Sequence, residues 1–289
     1  MSSEYRHLKQ ALKLPPDRML MLFESFCERS HALMDSMEWS WKFRGKQAQS
    51  NRCFWLGKGG YAEATSRQIR SLAGKLGLLP EDLPGGLKTW HYLLDQHTDR
   101  ALVGYSGPGL DGRPPACLKI YLTLGWSARR FYSQIVPHRH PDVPAEVPPP
   151  RTRLVLVYSA YESGEVSSRT YFFWLNGTLS TVGVARYLRS LIGDRAFSVA
   201  RMHPSVGIGF KNDTTNMLGL SFRPTGLALP DHSSWWQSPA LDPLLYAAGS
   251  TPLLRERLAQ VTWMTVPPGV VGPEFPYVLP EMNVYVRLS

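Results

Sequence analysis

The sequence of 289 residues predicts one α+β domain over 1–289, a ten-stranded antiparallel β-barrel surrounded by a ring of α-helices and assembled from five helix–strand–strand repeats. Three observations lead there. A helix-like stretch followed by two strand-like stretches and a turn recurs five times. The strand-like stretches are rich in Tyr, Phe, Trp and Val, which suit a pleated surface. Closing so long an antiparallel sheet also removes the edges it would otherwise expose. The competing architecture is an α+β chain with two separate sheets, for which the proline-rich stretch 141–150 would be a linker. Because the same pattern continues on both sides of it, that stretch reads as a loop.

Each element has a local reason. The first helix is expected over 17–35, with Pro15 and Pro16 ahead of it and Met19, Leu22, Phe23 and Phe26 at helical spacing. Strands follow at 38–44 and 52–56 around a polar turn at 45–50. A helix over 62–76 leads to strands at 98–105 and 117–124, and a short helix at 127–135 to strands at 153–161 and 168–175. The fourth unit reads as a helix at 182–192 and strands at 197–210, broken by Pro204, and 217–223. The last is a helix at 243–258 with strands at 261–266 and 282–288.

Composition narrows the class of function. Hydrophobic residues at 43% and charged residues at 19% are an ordinary globular mixture, so a core can form without disulfides or a structural metal. Three scattered cysteines, Cys27, Cys53 and Cys117, make neither a disulfide framework nor a zinc site, which favours a reducing compartment. No run of about 18 apolar residues exists to span a membrane, and the N-terminal stretch lacks the apolar core of a signal peptide, so the expected location is the cytoplasm. The net charge of +9 raises nucleic acid as a partner. Lys and Arg are spread along the chain and into the strands, however, which favours a small buried anion such as a diphosphate over a nucleic-acid face.

Strand parity supplies the candidate residues, because residues two apart share a face. In 117–122, Lys119 and Tyr121 face one way, and Leu118, Ile120 and Leu122 face the other, the side that suits packing under helices. Arg169 and Tyr171 repeat the arrangement, as do Asn283, Tyr285 and Arg287, and Arg52 adds a further cation. Placed inside a barrel, the cations hold a diphosphate, while phenol faces stabilise an allylic cation and keep water from it. Placed outside, they are a solvated basic face. Glu38 shares a face with Ser40 and Lys42, opposite Trp39 and Trp41. Inside, it can accept a hydrogen bond from an indole N–H and act as a base; outside, it is an exposed strand-end carboxylate.

Glu-x-Ser on the first strand, Arg on the second, Lys-x-Tyr and then Arg-x-Tyr resemble the aromatic prenyltransferases of the ABBA barrel type, nearest the indole, dimethylallyltryptophan synthase-like group. The resemblance implies transfer of an isoprenyl group, dimethylallyl in the first instance, from its diphosphate to an indole or other electron-rich aromatic, free or within a peptide. Glu38 is matched to contact with the indole nitrogen, Arg52, Lys119 and Arg169 to diphosphate binding, and Tyr121, Tyr171 and Tyr285 to shielding of the cation. Arg287 is expected to join the diphosphate set. One departure stands out: the stretch 217–222 lacks the polar-x-Tyr pair, so the shield is incomplete or differently built there.

Several motifs are missing or weak. No Asp-Asp-x-x-Asp run exists, so no cofactor or metal site is expected, although Mg2+ can accompany a diphosphate through few protein ligands. Residues 104–108 only approach a nucleophile elbow and read as a loop. Gly57 to Gly60 is too short for a phosphate loop. His138 and His140 lack a spaced partner, and Trp235 and Trp236 are either packed or at the barrel mouth. The remaining alternatives are a non-catalytic barrel carrying a hydrophobic ligand and a basic nucleic-acid-binding protein.

Overall fold

The structure is a computed structural model that describes residues 1, 3–11, 14, 16–44, 47–59, 62–77, 98–109, 115–124, 152–175, 179–201, 205–211, 217–222, 261–266 and 281–288. Helices α1 (Ser3–Ala11) and α2 (Arg18–Arg29) and a single 3-10 turn (His31–Leu33) precede β1 (Met34–Arg44) and β2 (Gln47–Gly57). Helix α3 (Ala62–Lys75) precedes β3 (Thr98–Ser106) and β4 (Cys117–Leu124), followed by β5 (Thr152–Tyr161) and β6 (Val166–Leu175). Helix α4 (Val182–Ala200) precedes β7 (Ser205–Lys211) and β8 (Met217–Phe222), and β9 (Val261–Val266) and β10 (Glu281–Leu288) complete the order.

The strands form one antiparallel sheet in which each pairs with its neighbour in sequence. Strand β10 pairs with β1 from Met37↔Leu288 to Arg44↔Glu281, which closes the ladder into a barrel. One face of the sheet packs under helices. There Trp39, Cys53, Trp55, Val103, Tyr105, Leu118, Ile120 and Phe172 are all fully buried. The Phe26 ring of α2 meets Trp55 edge-on at 5.0 Å, Phe23 lies 6.4 Å from Tyr105, and Tyr5 of α1 lies 5.7 Å from Trp39. Each such aromatic contributes about 1.5–3 kcal/mol by leaving water.

Helix α2 shows how sequence dictates this layer. Met19, Leu20, Phe23, Phe26 and Cys27 recur at helical spacing and are buried together. Asp17 caps the helix, its Oδ1 accepting from the Leu20 N–H at 2.7 Å. Its second carboxylate oxygen accepts from the buried Tyr105 hydroxyl, so one side chain both starts the helix and docks it on β3. Glu24 ties α1 to α2 by accepting from the Tyr5 hydroxyl at 3.0 Å and from Lys9 Nζ at 2.6 Å.

Several expectations need correction. The first helix stops at Arg29 rather than reaching residue 35, because the backbone turns through Ser30 and enters β1 at Met34. Helix α1 has no counterpart in the expected elements; polar Glu4, Arg6, His7, Lys9 and Gln10 mask the buried Tyr5 and Leu8. Strand β2 begins at Gln47, since Gln47 to Gln49 pair with Arg44 to Lys42 and extend the hairpin through residues read as turn. The strand expected over 197–210 is two elements: Phe197 to Ala200 end α4, which bends at Gly193, and β7 starts only at Ser205. Buried Ile192 and Phe197 give that helix its packed side. Gly104, Tyr105 and Ser106 belong to β3 rather than to a loop. The helices expected at 127–135 and 243–258, the stretch 141–150, His138, His140, Trp235 and Trp236 lie outside the described residues.

Candidate functional site

The face opposite the helices looks into the barrel, and the registers say which residues share it. Glu38 stands across from Phe54 and Arg287, and Ser40 from Arg52 and Tyr285. Lys119 stands across from Gly104 and Ser159, Tyr121 from Leu102 and Val157, and Arg169 from Val157. These side chains therefore project from one wall-to-wall surface. Contacts that skip a strand agree: Arg52 on β2 donates to Asn283 Oδ1 at 2.8 Å and to the Tyr285 hydroxyl at 3.2 Å, both on β10.

Burial alternates with parity along β4. Leu118, Ile120 and Leu122 are fully buried, while Lys119 and Tyr121 between them are only partly covered. Arg52, Arg169, Tyr171 and Tyr285 are partly covered as well. Inward-facing side chains that keep accessible surface have open space around them, so the lumen is not packed solid. Aromatic rings line it: Phe54 lies 5.8 Å from Tyr121 and 5.6 Å from Tyr285, and Tyr171 stacks on Phe173 at 6.2 Å. The Arg52 guanidinium lies 5.5 Å from the Tyr285 ring centre and 5.8 Å from that of Phe54.

Gly104 makes room for part of this lining. A Cβ there would fall 2.5 Å from the Phe54 ring, so Phe54 can lie flat on β3 only where no side chain stands. Phe173 covers Gly207 on β7 in the same way. The wall formed by β7 and β8, where Gly209 faces Gly219 and Gly207 faces Ser221, is the one without the polar-x-Tyr pair. Phe173, reaching over from β6, supplies aromatic surface beside that gap.

Electrostatics sets the character of the chamber. Burial, together with the charges of Arg52, Arg169 and Lys42, lowers the Lys119 ammonium to about 8, with Cys117 acting in the opposite direction. Lys119 donates to Ser106 Oγ at 3.1 Å, and the Arg52 partners named above are an amide and a phenol, all neutral. Burial also pushes the Tyr121 hydroxyl well up, so it stays a neutral donor. Four buried polar atoms on this face, Ser36 Oγ, Ser40 Oγ, Ser159 Oγ and Arg169 Nε, have no hydrogen-bond partner. Buried polar groups ordinarily have one. Neighbouring cations with unpaired polar atoms on the same face have the chemistry to receive an anion.

The residues expected from sequence are thus distributed as follows. Arg52, Lys119, Arg169, Tyr121, Tyr171 and Tyr285 converge, and Glu38 lies on the same face, almost wholly buried. Arg287 does not join them: it is half-exposed at one end of the barrel, where its Nη2 lies 2.8 Å from Asp35 Oδ2. Sequence reasoning missed Phe54, although Arg52-x-Phe54 follows the same alternation as Lys119-x-Tyr121. It also missed Ser106, which only the β3–β4 register identifies. Among the described residues, no group of three His, Cys, Asp or Glu side chains is placed to hold a metal ion, and no helix is long and apolar enough to cross a membrane.

Searched against models of known protein families, the sequence matches none, and no curated protein matches it. Among solved structures the chain is similar to AnaPT from Neosartorya fischeri, with a TM-score of 0.43 and 10% sequence identity over 88% of this chain and 78% of that one.

Proposed function

We propose that the chain is an aromatic prenyltransferase of the ABBA type, moving an isoprenyl group from its diphosphate to an electron-rich aromatic acceptor of the indole kind. The observation that carries this is the cluster of Arg52, Lys119 and Arg169 inside a lumen walled by Tyr121, Tyr171 and Tyr285. A barrel that merely carried an apolar ligand would have no use for buried cations, which are costly to desolvate.

In this reading the three cations bind the diphosphate and stabilise the charge that grows on it as the allylic C–O bond breaks, the electron pair leaving with the diphosphate. Phe54 and the three tyrosines face the resulting cation, and neutral Tyr121 does not add a nucleophilic phenolate. The acceptor ring attacks the cation through carbon, forming the new C–C bond. Loss of the proton from that carbon restores aromaticity. Glu38 orients the acceptor by accepting its N–H and serves as the base that takes up the proton. Mg2+, if it accompanies the diphosphate, would neutralise charge on the leaving group.

Incubation with dimethylallyl diphosphate and a panel of indoles tests this. Diphosphate release coupled to an acceptor heavier by one isoprene unit is expected, lost in Lys119→Ala and Glu38→Ala. An authentic substrate pair turned over equally well by both variants would remove the site assignment. Salt-sensitive oligonucleotide binding without any affinity for the prenyl diphosphate would favour a nucleic-acid role instead.

A further inference from the structure

Asp35 is the extra residue of a β-bulge. Met34 pairs with Gly57 and Ser36 with Leu56, so β1 advances two residues while β2 advances one. A second bulge lies at the same end of the barrel, where Thr98 pairs with Leu124 and Arg100 with Thr123. Bulges at a barrel rim re-aim side chains, and here they bring together groups from strands that are not adjacent. Arg100 of β3 and Arg287 of β10 both donate to Asp35 Oδ2, at 3.2 and 2.8 Å. The two arginine side chains remain 43% and 50% exposed.

Two guanidinium groups against one carboxylate leave a net positive charge, and one shared oxygen cannot absorb the ten N–H donors that two arginines present. Their positions relate this charge to the lumen. Arg287 is the direct cross-strand partner of Glu38, and Arg100 stands across from Thr123, on the face that carries Tyr121. Cross-strand partners lie about 5 Å apart. A ring seated at Glu38 would therefore have its substituents within one side-chain length of the arginine pair.

We infer that Arg100 and Arg287, pre-aligned by Asp35, form a rim subsite for a carboxylate carried by the aromatic acceptor. This rests on the prenyl-transfer reading and names its substrate class: an acidic aromatic, such as a free amino acid or an aryl-alkanoate, rather than a neutral one. The planar fork of each guanidinium suits a carboxylate, and Asp35 fixes both forks before the ligand arrives.

Calorimetric titration of the full chain with indole-3-propionate and its neutral isostere indole-3-propionamide tests the subsite. The acid is expected to bind about tenfold more tightly than the amide, and Arg100→Gln/Arg287→Gln is expected to bring the two within about twofold of each other. Asp35→Asn guards against a fold defect: it keeps both cations, so a carboxylate subsite retains or increases its preference for the acid, whereas a purely structural clamp weakens both probes alike. Equal affinities in the unaltered protein, a preference that survives the double substitution, or binding of neither probe would overturn the inference. Prenylation of the amide as efficiently as the acid would sink it while leaving the transfer reading intact. A clear acid preference with no prenyl transfer to any acceptor would do the reverse.

Discussion

Lys119 offers the sharpest test of the chamber, because its ammonium titrates near 8 under the combined action of burial and three neighbouring cations. An anion bound among those cations restores the protonated form, so binding and proton uptake must be linked. With a value near 8, about nine-tenths of the free protein carries the Lys119 proton at pH 7 and about one-tenth at pH 9. If the protonated form is the binding form, affinity falls about tenfold over that interval, equivalent to about 1.4 kcal/mol. At pH 8 about half a proton is taken up per ligand bound. Dimethylallyl thiolodiphosphate is the suitable probe, since it does not ionise to a carbocation and its terminal phosphate is already fully charged above neutrality. Calorimetry in buffers of different ionisation enthalpy reads both quantities. Lys119→Arg replaces the titrating group by one charged throughout, and its affinity should stay flat. Affinity independent of pH in the unaltered protein, or the same pH profile in Lys119→Arg, would refute the electrostatic account.

Other expectations follow from the same geometry. The Lys119 ammonium titrates lower in the folded than in the unfolded chain, so between about pH 8 and the ordinary lysine value of 10.5 the unfolded state binds more protons, and this residue's destabilisation is relieved as pH rises. Accordingly, Lys119→Met should raise the ligand-free melting temperature by a few degrees, about 1 kcal/mol or more, and abolish binding of the thiolodiphosphate; a lowered melting temperature would contradict the repulsion described. Gly104→Val should displace the Phe54 ring from between Tyr121 and Tyr285, costing about 1–3 kcal/mol in urea denaturation and slowing turnover, whereas unchanged stability would mean that Phe54 has another resting place. Asp17→Ala removes both the α2 cap and the acceptor for Tyr105, and should cost about 2–3 kcal/mol. Tyr105→Phe in that background should add little, a double-mutant cycle that fails if the two losses sum.

Much of the chamber was legible in the sequence because it depends on a period of two. Lys119-x-Tyr121 and Arg169-x-Tyr171 needed no register to be placed on one face, and the fully buried Leu118, Ile120 and Leu122 show which face packs outward. Arg287 followed the same parity and nonetheless ended at the rim, because parity fixes a side and says nothing of height along the barrel. That height comes from the stagger between strands, set by pairings such as Glu38↔Arg287 and Ser40↔Tyr285. Asp35 was hidden for a different reason: a bulge breaks the period that makes strands readable, and its partner Arg100 is separated from it by 65 positions in sequence. Helix α1 and the end of α4 escaped because the first is polar on most sides, while Phe197 follows a bend that interrupts helical spacing.

The seam between β1 and β10 has a temporal meaning. Tyr285 and Asn283, which grip Arg52, sit on the last of the described strands to be synthesised, and the wall they complete is held by pairs drawn from early and late parts of the order in which the ribosome makes them. Such pairings are late to form, since the chain must first bring distant segments together. Until that last ribbon zips into place there is no enclosure at all. A nascent chain therefore has no chamber in which to enclose a ligand, and the lumen exists only once its own construction is finished.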